Sequence, residues 1–174
     1  MIDESLPVFP NNVAETIRVR FEMPGVIDDE VDPTQRITIL KRPLRPTDPN
    51  QSVGLIPVNW VPNQESLEIR GLPSPGPQEP TLQQYMLHVQ AFVRDPEEMR
   101  GLAVHSVLTS RIRAVLYRDV PLRVGLAALA VNLVGATEQL KRWGFLQTRY
   151  LSNEVNGNWL YLSTTELWIE TETT

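Results

Sequence analysis

The chain of 174 residues contains no cysteine. That absence excludes a disulfide scaffold, a thiolate nucleophile and cysteine-ligated zinc, and it fits a reducing cytoplasm. Histidine is scarce: His88 and His105 are the two copies, and they do not have metal-ligand spacing. There is no glycine-rich phosphate loop, dinucleotide fingerprint or nucleophile elbow. The most apolar stretch, Val124 to Val134, is too short to cross a bilayer and is interrupted by Asn132. Met1-Ile2-Asp3-Glu4-Ser5 is acidic and lacks an apolar core, so no secretory signal is expected. Positive charge is in deficit, with 16 Lys and Arg against 21 Asp and Glu, a net charge of −5. This disfavours a protein that grips phosphates, which needs clustered Lys and Arg. At 41% apolar and 21% charged residues, the composition suits an ordinary globular domain with one good core.

What is present is clearest in the last third. Aromatic, β-branched and Leu residues run up to Asn156-Gly157, and a similar run follows. Asn-Gly is the strongest short hairpin signal, because both central residues of a type I′ turn need φ > 0. A two-residue loop pairs Val155 with Asn158, Leu151 with Leu162, Arg149 with Thr164 and Phe145 with Trp168. Arg149 then lies diagonal to Glu166. A bulge near Ser163-Thr164-Thr165 would shift these pairs by one. Trp159, Tyr161, Leu167 and Ile169 share one face; Leu160, Leu162 and Trp168 share the other. A ribbon greasy on both faces needs cover from helices or from a neighbouring subunit.

Upstream, Asn12 to Met23 reads as a helix, with Val13, Ile17 and Phe21 on one face and Pro24-Gly25 as the stop; a strand is the alternative. Asp28-Asp29-Glu30-Val31-Asp32 lacks the ligand alternation of a calcium loop and reads as a solvated turn. Arg36 to Leu40 reads as a short strand. Prolines crowd residues 43–80, which predicts an extended or loop-like insertion with a strand or strap over Val53 to Val61 and an exposed loop at Pro73 to Pro77. Gln83 to Val93 reads as a central strand. Tyr85, Leu87, Val89, Ala91 and Val93 share one face; Met86, His88, Gln90 and Phe92 share the other. Asp95-Pro96-Glu97-Glu98 predicts a capped helix start. Its stripe is Met99, Leu102, Ala103, Val107, Leu108, Ile112, Val115 and Leu116. Val124 to Val134 reads as a second, buried helix ending at Gly135, with a strand as the alternative.

No catalytic, cofactor-binding or metal-binding residues are expected. His88 and His105 read as structural, and Ser106 and Ser110 as ordinary helical serines. The candidate subunit or partner contacts are Trp60, Arg149, Trp159, Tyr161, Glu166 and Trp168, chosen for tryptophan's enrichment at interfaces and for their place on the hairpin.

The order of elements, the Tyr117-Arg118-Asp119 exit and the ending from Tyr161 to Thr171 resemble the tail terminator proteins of long-tailed bacteriophages, in particular actinobacterial-phage members. The likeness covers mainly Gln83 to Thr174; the Pro43–Pro80 region departs from compact members. The resemblance implies an α+β subunit with an antiparallel sheet flanked by helices and no catalytic residues. It implies a ring of six copies on the tail tube in the virion, after assembly in the host cytoplasm. The ring meets the major tail protein on one side and the head-side connector on the other. DNA passes through the lumen without sequence-specific binding, and no membrane is involved. A head-completion, connector or other head–tail joining protein is the alternative, and an unrecognised enzyme a further one.

Overall fold

A computed structural model of the chain describes residues 9–28, 36–58, 81–133 and 135–173. Among these, three helices lie with one mixed six-stranded sheet. The helices are α1 (Phe9–Phe21), α2 (Glu98–Arg118) and α3 (Val120–Ala127). The strands are β1 (Thr38–Leu40), β2 (Gln51–Val58), β3 (Thr81–Asp95), β4 (Ala130–Leu133), β5 (Ala136–Val155) and β6 (Asn158–Thr173). Their spatial order is β1-β2-β3-β6-β5-β4. The expected sheet was antiparallel throughout; the observed one is mixed, because β1 runs parallel to β2. Trp60, Asp29 to Asp32 and the Pro73–Pro77 loop fall outside the described residues.

Residue spacing explains α1. Val13, Ile17 and Phe21 are fully buried together with Ala14; adjacent residues share a face with those three and four positions on in a helix, whereas a strand would send Val13 and Ala14 to opposite sides. The helix begins at Phe9, earlier than the expected Asn12, so Asn12 lies inside its first turns. The Asn12 carbonyl accepts from the Thr16 hydroxyl at 2.8 Å. Gly25, with φ 74°, supplies the turn after it.

Helix α2 departs from expectation in two ways. It starts at Glu98, not at Pro96, because Asp95 is still paired with Trp159 as the last residue of β3. Asp95 nevertheless accepts from the Glu97 amide at 2.8 Å and from Arg100 at 2.8 and 2.9 Å. The buried face is also rotated. Leu108, Ile112, Val115 and Leu116 are buried as expected, but Met99, Leu102, Ala103 and Val107 are exposed. Gly101, His105 and Thr109 face the sheet instead. Gly101 lies so close to the Tyr161 ring that a Cβ would come within 2.9 Å of it. His105 Nε2 is 3.3 Å from the Ala91 carbonyl, and the Thr109 and Ser163 hydroxyls share a 3.0 Å hydrogen bond. Sheet partners for these polar groups turn the first half of the helix away from its apolar stripe.

The expected helix from Val124 to Val134 is instead the end of α3 followed by β4. Asp119 caps α3 by accepting from the Leu122 amide at 2.8 Å, and Pro121 occupies the first turn. Leu122 and Leu126 are buried and Val124 is exposed. Gly135, with φ 84°, turns β4 back into β5.

The hairpin forms as expected. Asn156 and Gly157 have φ of 51° and 74°, and Val155, Leu151 and Arg149 pair with Asn158, Leu162 and Thr164. The register then slips between Phe145 and Gln147 and again between Leu140 and Arg142. Phe145 therefore faces Leu167, and Gly144 faces Trp168. The slip lies on β5, not near Ser163 to Thr165. Each bulge adds a residue to one strand and sharpens its twist.

The core lies between the helices and one side of the sheet. Val53 and Leu55 of β2, Leu87, Val89, Ala91 and Val93 of β3, and Leu167 and Ile169 of β6 pack there. Burying each larger side chain contributes about 1.5–3 kcal/mol.

Candidate assembly surface

One side of the sheet faces away from the core that the helices cover. It carries Met86, His88, Gln90 and Phe92 from β3 and Leu160, Leu162, Thr164, Glu166, Trp168 and Glu170 from β6, in register. The chain between β1 and β2 crosses part of it. The Leu44 amide donates to Gln90 Oε1 at 3.0 Å, and the Leu44 side chain presses onto Gly54, where a Cβ would come within 2.9 Å. Arg42 grips Asp48 there and holds its carboxyl below the usual carboxylate range, aided by the Arg45 amide.

Two buried carboxylates organise the open part of this side. Glu166 accepts from Gln147 Nε2 at 2.7 Å and pairs with Arg149 at 3.3 Å, so the diagonal expected from the hairpin register forms. Glu170 accepts from Arg142 Nε at 2.8 Å and from Gln84 at 3.4 Å. Trp168 lies half-buried between them, against Gly144, with the Arg142 guanidinium 6.0 Å from its ring centre. A groove of about 520 Å³ opens here, lined by Met86, Arg142, Leu146, Trp168 and Glu170. His88 is the register partner of Glu166, yet that carboxylate is engaged by Gln147 and Arg149. His105 is buried between the rings of Tyr161 (5.9 Å) and Tyr150 (6.3 Å). Burial pushes its imidazole below the ordinary value. His105 thus sits in a packed setting, while His88 is half-buried on the other side of the sheet.

The remaining expected contact residues divide. Arg149 is exposed and Trp159 half-buried. Tyr161 is a core residue whose hydroxyl donates to the Glu98 carbonyl at 3.0 Å. Trp168 and Glu166 belong to the groove above.

The free edge is the feature that the choice of single residues missed. β4 pairs only with Ala136 to Gln139. From Leu140 to Val155 the outer edge of β5 has no strand partner among the described residues. Along it, Leu146 (56% exposed), Tyr150 (59%), Leu151 (69%) and Val155 (41%) face solvent. The signal was available in sequence as a ribbon apolar on both faces; what sequence could not say is which of its two strands stays bare.

No protein-family model matches this chain, and comparison with curated proteins found no match. Among the described residues no helix is long and apolar enough to cross a membrane.

Proposed function

We propose that this chain is a structural subunit that closes into a ring through its β5 arm, with a tail-terminator-like fold. In this reading six copies cap the tail tube of a long-tailed bacteriophage, stop addition of the major tail protein and present a surface to the head-side connector, with DNA passing through the lumen. The observation that carries the self-assembly is the bare edge of β5 with its exposed Leu146, Tyr150, Leu151 and Val155. An unpaired strand edge bearing apolar side chains is a template for another chain. A contact between two different surfaces, repeated about a closed axis, yields a ring. The place in the particle rests on the resemblance of Gln83 to Thr174 to tail terminators.

Two measurements test it together. Mass photometry of the purified chain should give a closed oligomer, with six copies expected. Electron micrographs of tails assembled with and without the chain should show capped tubes of uniform length against overlong ones. A monomer that never decorates tube ends overturns the reading. A ring found instead at the head vertex moves the subunit to head completion.

A further inference from the structure

Nearly every described carboxylate has a local partner: Glu15 and Glu22 with Arg18, Asp48 with Arg42, Asp119 with Arg20, Glu166 with Arg149, Glu170 with Arg142 and Glu172 with Lys141. Glu154, exposed one residue before the end of β5, is an exception. The mirror-image exception lies at the far end of α2. There a concavity of about 680 Å³ is lined by Arg113, Tyr117, Arg118 and Arg123 with no carboxylate in its wall. Among the described residues none of these three arginines has an acidic partner; Arg123 donates to the Tyr117 carbonyl. An adjoining hollow is lined by Tyr117, Arg123, Trp143 and Phe145, where Tyr117 stacks on Phe145 at 3.9 Å.

The two features cannot meet within one molecule. Phe145 and Trp143 border the arginines, and about eleven residues of β5 separate Trp143 from Glu154, roughly 36 Å of strand. They nevertheless share one side of the sheet. Glu154 pairs with Trp159 and Ser152 with Tyr161, whose ring lies under α2; Trp143 and Phe145 pair with Ile169 and Leu167 of the core. A second copy that lays the tip of its β5 across the Trp143–Phe145 end of the first, with its helices on the same side, brings its Glu154 to the side of the arginine concavity.

We propose that the concavity at the end of α2 receives the β5 arm of a second copy, with Glu154 of that copy placed among Arg113, Arg118 and Arg123. Tyr150 travels on the same side of the arm and adds apolar contact beside Tyr117. Charge complementarity selects the occupant: Glu154 is an exposed acid at the tip of the arm, and the hollow holds three arginines and no acid in its wall. This inference rests on the proposed self-assembly but specifies its contact.

Charge reversal tests it, with oligomer dissociation read by mass photometry over a dilution series. Glu154→Arg and, separately, Arg113→Glu with Arg118→Glu should each weaken association at least tenfold. Combining all three changes in one chain should recover it to within about threefold of the wild type. All three sites are exposed, and unchanged circular dichroism verifies folding. An oligomer indifferent to these changes overturns the contact and leaves the ring reading standing. A two-copy assembly that obeys the charge swap supports the contact and overturns the ring. Loss of retention of a random 24-base-pair DNA duplex by the Arg113→Glu, Arg118→Glu protein, with assembly intact, makes the hollow a polyanion site and overturns the inference.

Discussion

Arg20 and Asp119 form a two-pronged ion pair, with Nε to Oδ2 and Nη2 to Oδ1 both at 2.8 Å. The pair joins α1 to the junction of α2 and α3, and one carboxylate oxygen also caps α3 through the Leu122 amide. One side chain thus anchors three helices. Its fork geometry suits arginine better than lysine.

Asp119→Ala should lower unfolding free energy by about 2–3 kcal/mol, from loss of a helix cap worth about 1 kcal/mol and of charge-assisted hydrogen bonds to Arg20. Asp119→Asn keeps a capping oxygen and should cost less. Urea titrations of both proteins check this; equal losses would show that the cap contributes nothing.

Acid should destabilise the chain in two windows. Burial lowers the His105 pKa from 6.5, so the folded chain holds this ring neutral. As pH falls below 6.5 the unfolded chain takes up a proton that the folded chain does not, and stability declines. The Arg20 guanidinium, and then the Leu122 amide, hold Asp119 below 3.8. Its contribution is complete above that value and is lost as pH falls through the folded one. Stability measured from pH 8 to pH 3 should show the first slope vanish in His105→Leu and the second shrink in Asp119→Asn.

Gly144→Ala should cost about 1–3 kcal/mol, because an overpacked site must move its neighbours. The new Cβ would lie 2.6 Å from Trp168 Nε1 and 2.9 Å from Cε2. The indole must leave its place beside Arg142. A thermal melt reads the loss, and an unchanged melting temperature would show that Trp168 moves freely into the groove.

Leu151→Lys and Leu146→Lys should separate assembly from folding. Both side chains are mostly exposed, so the stability of the single chain should change by no more than about 0.5 kcal/mol. Self-association should weaken about tenfold or more, equivalent to ~1.4 kcal/mol. Mass photometry beside urea titration reads the two effects independently. Association equal to that of the wild type would remove the arm from the interface.

Local chemistry made much of this legible. The Val13-Ile17-Phe21 repeat, the Asn156-Gly157 turn and the β3 alternation each carry a period or a backbone requirement that few structures satisfy. Where the reading slipped, a distant partner decided. Asp95 stays in β3 because Trp159 pairs with it. Met99, Leu102 and Val107 face outward because Tyr161, Ser163 and the Ala91 carbonyl attract Gly101, Thr109 and His105. The β5 bulge at Leu146 shifts Phe145 from Trp168 to Leu167, and no local signal marks it. The concavity of Arg113, Arg118 and Arg123 is not legible in sequence for the same reason: the first two share one helix, and only α3 brings up the third.

By itself the sequence determined where the chain turns, which stretches alternate with a period of two or close to four, and that cysteine chemistry is excluded, since these depend on residues a few positions apart. Among the described residues, only the tertiary structure decided strand order, the parallel β1–β2 pair, the bare outer edge of β5 and the local pairing of most acids. Those follow from which elements pack side by side, a choice made by burial and hydrogen-bond satisfaction across the whole molecule.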